Sequence, residues 1–278
     1  MISTVNIIQL AYIIPSYFLL LIFVIILTRE ILINKNPVYN NQFYPFLLYK
    51  AYADLLIVLS TLVCSRAAKM NIFGTFFENN NILAASYYLT VAICYTIIYT
   101  ISLITSFNRF LALSYPFLIN YWFSETKMKM YIIVPLIIGI IYGIVTICLK
   151  PSYIYLKTIS GYIITFENYN APYIVMFYTF VYIIPIAISS ILMNIITIYK
   201  LTKFLKKNKE KSSQDIQLVV YSILDFFCFI LFVIYNLTRI INFLYIKSEK
   251  IEGLAASSIN WILDLHSFGL FYAGLILR

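Results

Sequence analysis

Charge is what this sequence has least of: 11% of the chain is Asp, Glu, Lys or Arg, against about a quarter in an ordinary soluble domain. Such a chain has too little polar surface to face water on all sides. Glycine is scarce as well, with 7 residues in 278. None of them forms a Gly-rich phosphate loop, and there is no metal-protease motif or nucleophile elbow. Enzymes built on those motifs are excluded, and no cofactor is expected. The four cysteines, Cys64, Cys94, Cys148 and Cys228, fall in or at the ends of apolar segments, with no metal-ligand spacing and no disulfide framework. Buried thiols are the default, although geometry leaves a Cys64 to Cys148 bridge open. The N-terminus lacks a basic n-region and its apolar run continues far past a signal-peptide core, so it reads as a mature first helix.

What the chain has in abundance is apolar length. It is 62% hydrophobic and 18% aromatic, and a helix of about 20 apolar residues crosses a hydrocarbon core of about 30 Å. Such runs occur over residues 7–27, 43–64, 82–110, 130–149, 172–199, 216–239 and 254–277. They lack strand alternation, and backbone groups in lipid must bond internally, so a β-barrel is excluded. The expectation is an all-α membrane protein, one seven-helix transmembrane bundle. Pro15, Pro135 and Pro185 lie inside spans, where lipid-embedded helices tolerate them with or without a kink.

The net charge of +9 does not point to nucleic acid, because Lys and Arg sit in short segments between apolar runs, as topology and anionic lipid dictate. Their balance places the N-terminus outside and the C-terminus inside, an orientation resting mainly on Lys200, Lys203, Lys206, Lys207, Lys209 and Lys211 between the fifth and sixth spans. Lys200, Lys203, Lys207 and Lys211 keep helical spacing, as if the fifth helix ran on beyond the membrane or anchored to headgroups. Ser212 with Asp215 resembles a capping box that starts the sixth helix. In the long connection from Lys150 to Ala171, two β-prone runs flank Ser160-Gly161 and predict a β-hairpin. It reads either as a lid over an outward-facing cavity or as a shield on helix ends.

Ionisable residues inside spans are costly and mark function by default. Lys50 and Asp54 share one face of the second span, as an ion pair or as part of a switch. Asp225 lies in the sixth span, and Asp264 and His266 in the seventh; the histidine is either a hydrogen-bonded core residue or a member of a polar switch. A proton relay would make the chain an ion-coupled transporter, but no repeat or pair of broken half-helices supports one. A light-driven retinal protein needs a Schiff-base lysine in the last span, and none occurs from Leu254 to Arg278. Tyr87, Tyr88, Tyr95, Tyr235 and Trp261, in the outer halves of the third, sixth and seventh spans, are either the lining of a small-molecule cavity or packing and interface residues.

The third span ends in Ser106-Phe107-Asn108-Arg109-Phe110, followed by Tyr115-Pro116. This resembles the rhodopsin-type receptor signature of an acid, Arg and an aromatic with Pro seven residues after the Arg, Asn108 standing for the acid. The Asn-Arg-Phe form is similar to the nematode serpentine chemoreceptors, in particular the gamma and V classes. Ala51-Tyr52-Ala53-Asp54-Leu55-Leu56 and the segment Asn194 to Leu201 resemble the second and fifth helices of such receptors. The fourth span lacks its usual Trp, the sixth lacks a Pro and Asp264-Leu265 replaces Asn-Pro, which marks a divergent member. The resemblance implies a plasma-membrane chemoreceptor, in sensory-neuron cilia, with a small-molecule ligand and a heterotrimeric G protein as partners. Coupling then falls to Asn108, Arg109, Phe110, Pro116, Lys203 and Lys207. A ligand-gated channel of inverted topology and an ion-coupled transporter are the rival readings.

Overall fold

The computed structural model describes residues 4–35, 44–157, 160–207, 213–269 and 271–272. Its long helices are α1 (Ile7–Ile33), α2 (Tyr44–Lys69), α3 (Asn81–Ser114), α4 (Glu125–Cys148) and α5 (Ala171–Lys203), then α6 (Ser213–Ile241) and α7 (Glu249–Asp264). Strands β1 (Pro151–Leu156) and β2 (Gly161–Phe166) lie between α4 and α5. Among the described residues, six helices are long and apolar enough to cross a membrane, the sixth through Phe226–Ile246. α7 continues as a wide π-helical turn over Leu265–Gly269, and most of the run expected beyond it falls outside the described residues. α5 extends to Lys207, as the lysine spacing anticipates; Lys211 lies outside the described residues. The sixth helix begins at Ser213, next to the expected cap, of which Ser212 and the Asp215 side chain are not among the described residues.

Burial is inverted relative to a soluble protein. Ile22, Ile25 and Ile26 of α1, Ile141 and Ile144 of α4 and Leu192 of α5 are exposed, whereas Lys50, Asp54, Arg66, Thr96, Ser102, Ser190 and Asn194 are buried. Lipid solvates the first set, and only the bundle interior offers the second set partners. α4 approaches α3 through Gly139 and Gly143: a Cβ at Gly139 would lie 2.8 Å from the Ile93 Cα. Small residues four apart permit this backbone contact, and dispersion then does what the hydrophobic effect does not do in lipid. No disulfide joins the four cysteines, and Cys64, Cys94 and Cys228 are buried as expected. Cys148 is exposed, because the end of α4 turns it away from the bundle.

α3 and α5 run parallel and are joined by side-chain rungs. Thr96 meets the Tyr178 hydroxyl at 2.6 Å and Thr100 meets Tyr182 at 2.7 Å. Further along, Ser106 meets Ser190 at 3.0 Å and Lys200 donates to Ser114 at 2.7 Å. The offset between partners is 82 residues at the first two rungs, 84 at the third and 86 at the last. α5 has slipped because Thr179–Ile183 forms a π-helical turn, which fits extra residues into the same length. Pro185 is its cause: with no N–H it cannot bond the Val181 carbonyl, and the preceding turn widens. Pro15 and Pro135 leave their helices regular. The long reach of Lys200 covers the final step.

The hairpin forms as expected, with Tyr153 opposite Ile164 and Leu156 opposite Gly161. Its connection spans residues 157–160, so Gly161 belongs to the ladder and the left-handed residue is Ser160 (φ +50°). The hairpin is packed down on the end of α2: Tyr153 donates to the Cys64 carbonyl at 3.0 Å, and its ring lies 5.1 Å from that of Phe77. Burial pushes the Tyr153 phenol up, so it stays protonated and keeps donating. Gly161 passes so close to α2 that a Cβ would sit 2.0 Å from the Lys69 carbonyl oxygen. Gly161→Ala is expected to destabilise the purified protein by about 1–3 kcal/mol through overpacking, read as a lowered thermal midpoint in detergent; an unchanged midpoint would show that the hairpin is loose.

Candidate functional site

Buried polar assemblies lie inside the bundle. The first two join α1, α2 and α7. Arg66 Nη2 donates to Asp264 Oδ1 at 2.6 Å, and the Tyr12 hydroxyl donates to Asp264 Oδ2. Arg66 and Asp264 are both buried. Further along α2, Lys50 Nζ pairs with Asp54 Oδ2 at 2.8 Å, and Ser267 donates to Asp54 Oδ1 at 2.8 Å. His266 is buried within electrostatic reach of Lys50, and its ring lies 6.4 Å from Phe229 of α6. The residues expected to act as one polar switch are thus divided: Lys50, Asp54 and His266 belong together, whereas Asp264 pairs with Arg66. The side chain of Asp225 lies outside the described residues.

Arg66 was read from sequence as a connection charge, with the second span ending at Cys64; α2 instead continues to Lys69. At about 100° per residue, Arg66 would stand about 120° around an ideal helix from Asp54. Thr61–Arg66 is a π-helical turn, in which each residue rotates less, and this takes back most of the offset. Arg66 therefore faces the same neighbours as Asp54. The available signals were Ala67-Ala68, which continue the helix past Arg66, and Asp264, which needed a cation from another helix.

At the hairpin end, Tyr87, Tyr88 and Tyr95 of α3 gather beside Tyr235 of α6. Tyr95 lies within electrostatic reach of both Tyr87 and Tyr235, and Tyr88 within reach of Tyr87, Tyr235 and Arg239. Tyr88 stacks on Phe166 of β2 at 4.2 Å and donates to the Ile164 carbonyl at 3.3 Å, so the hairpin walls this cluster. Arg239 reaches the Tyr235 hydroxyl at 3.3 Å and Glu252 of α7 at 2.6 Å. Trp261 does not join them. It is 43% exposed and packs on Tyr12 at 5.9 Å, on the α1 side of α7.

At the opposite end, Arg109 is buried, with Asn108 and Phe110 partly covered and Pro116 exposed on a short turn, Pro116–Leu118. Lys200 lies 5.6 Å from the Phe110 ring and 5.7 Å from Tyr115. Lys203 is exposed, and the Lys207 side chain lies outside the described residues. Between the rungs Ser106 to Ser190 and Ser114 to Lys200, at the level of Arg109, lies Asn194 of α5. It is 0% exposed, and among the described residues neither its amide oxygen nor its nitrogen has a hydrogen-bond partner. Thr197 Oγ1, one turn on, is also buried and finds no partner among the described residues.

A helical bundle with an apolar exterior and a buried ionic interior defines a polytopic membrane protein. Residues 20–248 match the family model described as serpentine type 7TM GPCR chemoreceptor Srx. The match covers most of the chain, which therefore belongs to this family of serpentine chemoreceptors. The sequence resemblance to nematode serpentine receptors agrees with it; the class matched is Srx, where the motifs pointed to gamma and V. Comparison with curated proteins finds no match.

Removing one partner of a buried ion pair strands the other, at a cost of about 3–5 kcal/mol. Asp264→Asn is expected to lower the thermal midpoint and surface expression sharply, and Arg66→Met combined with Asp264→Leu to recover most of the loss. A double variant no better than the single one would refute the pairing.

Proposed function

We propose that this chain is a G-protein-coupled chemosensory receptor of the plasma membrane, in sensory-neuron cilia. Seven spans form a single receptor domain, with the N-terminus and hairpin outside and the Arg109 end in the cytoplasm, the orientation the Lys and Arg balance favours. A small molecule binds in the outer half, among Tyr87, Tyr88, Tyr95 and Tyr235, and shifts a two-state helix arrangement toward one that opens a cytoplasmic cleft. A heterotrimeric G protein then meets Asn108, Arg109, Phe110 and Pro116, with Lys203 and Lys207 on the extension of α5. Lys50, Asp54 and His266 form the polar connection between the two ends.

The observation that carries this reading is the unfinished contact between α3 and α5. Asn194 is enclosed beside the Arg109 level with both amide atoms unpaired among the described residues, and a buried unpaired polar group costs about 1–3 kcal/mol. An arrangement that supplies partners relieves that cost, so the groups favour a second state over the one described.

Two substitutions test this. Asn194→Leu is expected to raise the thermal midpoint, by about 1–3 kcal/mol of stability, while weakening ligand-dependent G-protein dissociation; a stabilised receptor that signals normally would remove Asn194 from the switch. Arg109→Ala is expected to abolish ligand-dependent G-protein dissociation with surface expression preserved. Undiminished signalling would take Arg109 out of the mechanism, and a ligand-evoked current surviving in excised membrane without GTP would replace the receptor by a channel.

A further inference from the structure

The connection from the end of α3 to the start of α4 exposes a strip of aromatic rings. Phe117 is 76% exposed and Tyr121 65%, with Tyr115 and Trp122 also open. The backbone beneath them is anchored. Phe123, the next residue, is buried against Phe46 and Phe107, and the Trp122 carbonyl accepts from the Tyr131 hydroxyl at 3.2 Å. The rings therefore face outward from a segment that is itself tied to the bundle. The connection runs only from Tyr115 to Ser124, which keeps the rings close to the ends of two long apolar helices. That is the level at which Tyr and Trp meet lipid headgroups.

A lysine stands at each edge of the strip. At one edge the Lys127 ammonium lies 3.5 Å from the centre of the Tyr121 ring and 5.0 Å from that of Trp122, and it donates to the Tyr121 carbonyl at 2.8 Å. At the other edge Lys200 lies 5.7 Å from Tyr115, whose ring meets that of Phe117 edge-on at 6.3 Å. Among the described residues neither lysine meets a carboxylate, whereas neighbouring Lys129 is matched by Glu125 at 2.7 Å. A ring stabilises an ammonium without neutralising it, so both lysines keep their charge, and Lys127 keeps N–H donors to spare.

Exposed rings by themselves would suit any apolar partner. Rings at headgroup depth, edged by ammonium groups that no carboxylate balances, match a partner that is apolar below and negative above. We propose that this strip is a docking site for anionic phospholipid. Lys127 and Lys200 draw the phosphate-bearing headgroups, and Phe117, Tyr121 and Trp122 pack on the glycerol and upper acyl segments. The site goes beyond the receptor reading and is independent of which end of the bundle is cytoplasmic. A protein that covers the same rings is the competing occupant and is part of the test.

The chain has 2 tryptophans, Trp122 and Trp261, so a Trp261→Phe background makes Trp122 the sole indole reporter. The full chain is reconstituted in phosphatidylcholine nanodiscs with increasing fractions of phosphatidylglycerol or phosphatidylcholine brominated near the ester end of the acyl chains, and quenching of Trp122 fluorescence is followed. Half-maximal quenching is expected at a brominated phosphatidylglycerol fraction at least about fivefold below that of brominated phosphatidylcholine, the scale of one lysine at an anionic surface. Trp261, read alone in a Trp122→Phe background, is expected to show no such difference, since it packs on Tyr12 at the α1 side of α7. Lys127→Gln with Lys200→Gln is expected to bring the two lipids level at Trp122, while Lys127→Arg with Lys200→Arg keeps the preference. Quenching by brominated phosphatidylcholine reports that Trp122 still reaches lipid in each variant. Equal quenching by the two lipids, an equal preference at Trp261, or a preference that survives the glutamine pair overturns the proposal. Equal quenching that is lost when a G-protein heterotrimer is added assigns the strip to that protein and overturns the lipid site as well.

Discussion

An arginine enclosed in a lipid-embedded bundle is tolerable only if a carboxylate from another helix meets it. That requirement, satisfied by Arg66 and Asp264, organises one side of this molecule. It fixes the rotation of α2, which needs the π-helical turn Thr61–Arg66 to bring the guanidinium inward. It fixes α7, whose Asp264 has its second oxygen taken by Tyr12 and so secures α1 as well. Once α7 is set, Ser267 falls against Asp54. The Lys50 to Asp54 pair is then joined across helices rather than within one, and Ser16 bonding Tyr272 at 2.8 Å extends the same seam.

The other side of the bundle is held by different chemistry. α3 and α5 carry neutral hydroxyl rungs, and α3 and α4 meet through glycine. Rungs of this kind are weak singly, about 0.6 kcal/mol on average in a membrane, and exchange partners at low cost. Breaking the ion pair is far more expensive. A bundle with one stiff seam and one soft seam deforms most cheaply at the soft one, where α5 meets α3. The unsatisfied Asn194 and Thr197 lie on the soft seam, where a second arrangement costs least.

Much of the architecture was legible because apolar length and turn chemistry are local properties. The spans, the hairpin in the connection after α4 and the pairing of Lys50 with Asp54 all follow from residues close in sequence. The tyrosines of α3 and Tyr235 were also identifiable, since they lie toward the same end of their spans. Arg66 was not, because a charge two residues past an apolar run reads as its end; its partner Asp264 lies 198 residues away. Trp261 stands apart from the tyrosines for a related reason. Which face of α7 meets α1 depends on the Tyr12 to Asp264 bond, a contact between the two ends of the chain. The slip of α5 by two residues was visible only as Pro185, whose effect on the preceding turn depends on what α3 offers opposite it.

The two seams are linked by contacts that run from the hairpin end into the bundle. Arg66 and Lys69 terminate the helix that carries Asp54 and Lys50, and Asp264 begins the wide turn that carries His266 and Ser267. Any negative group that draws on the spare donor of Arg66 competes with Asp264 for the same guanidinium. Weakening that bond loosens α7 at Asp264, and the next contact along the wide turn is Ser267 on Asp54. His266 lies beside it against Phe229, which packs on Tyr99 of α3 at 5.5 Å. The path from Arg66 to α3 therefore consists of buried contacts in sequence, each with a defined partner to lose. The soft seam between α3 and α5 is the part least able to resist the displacement.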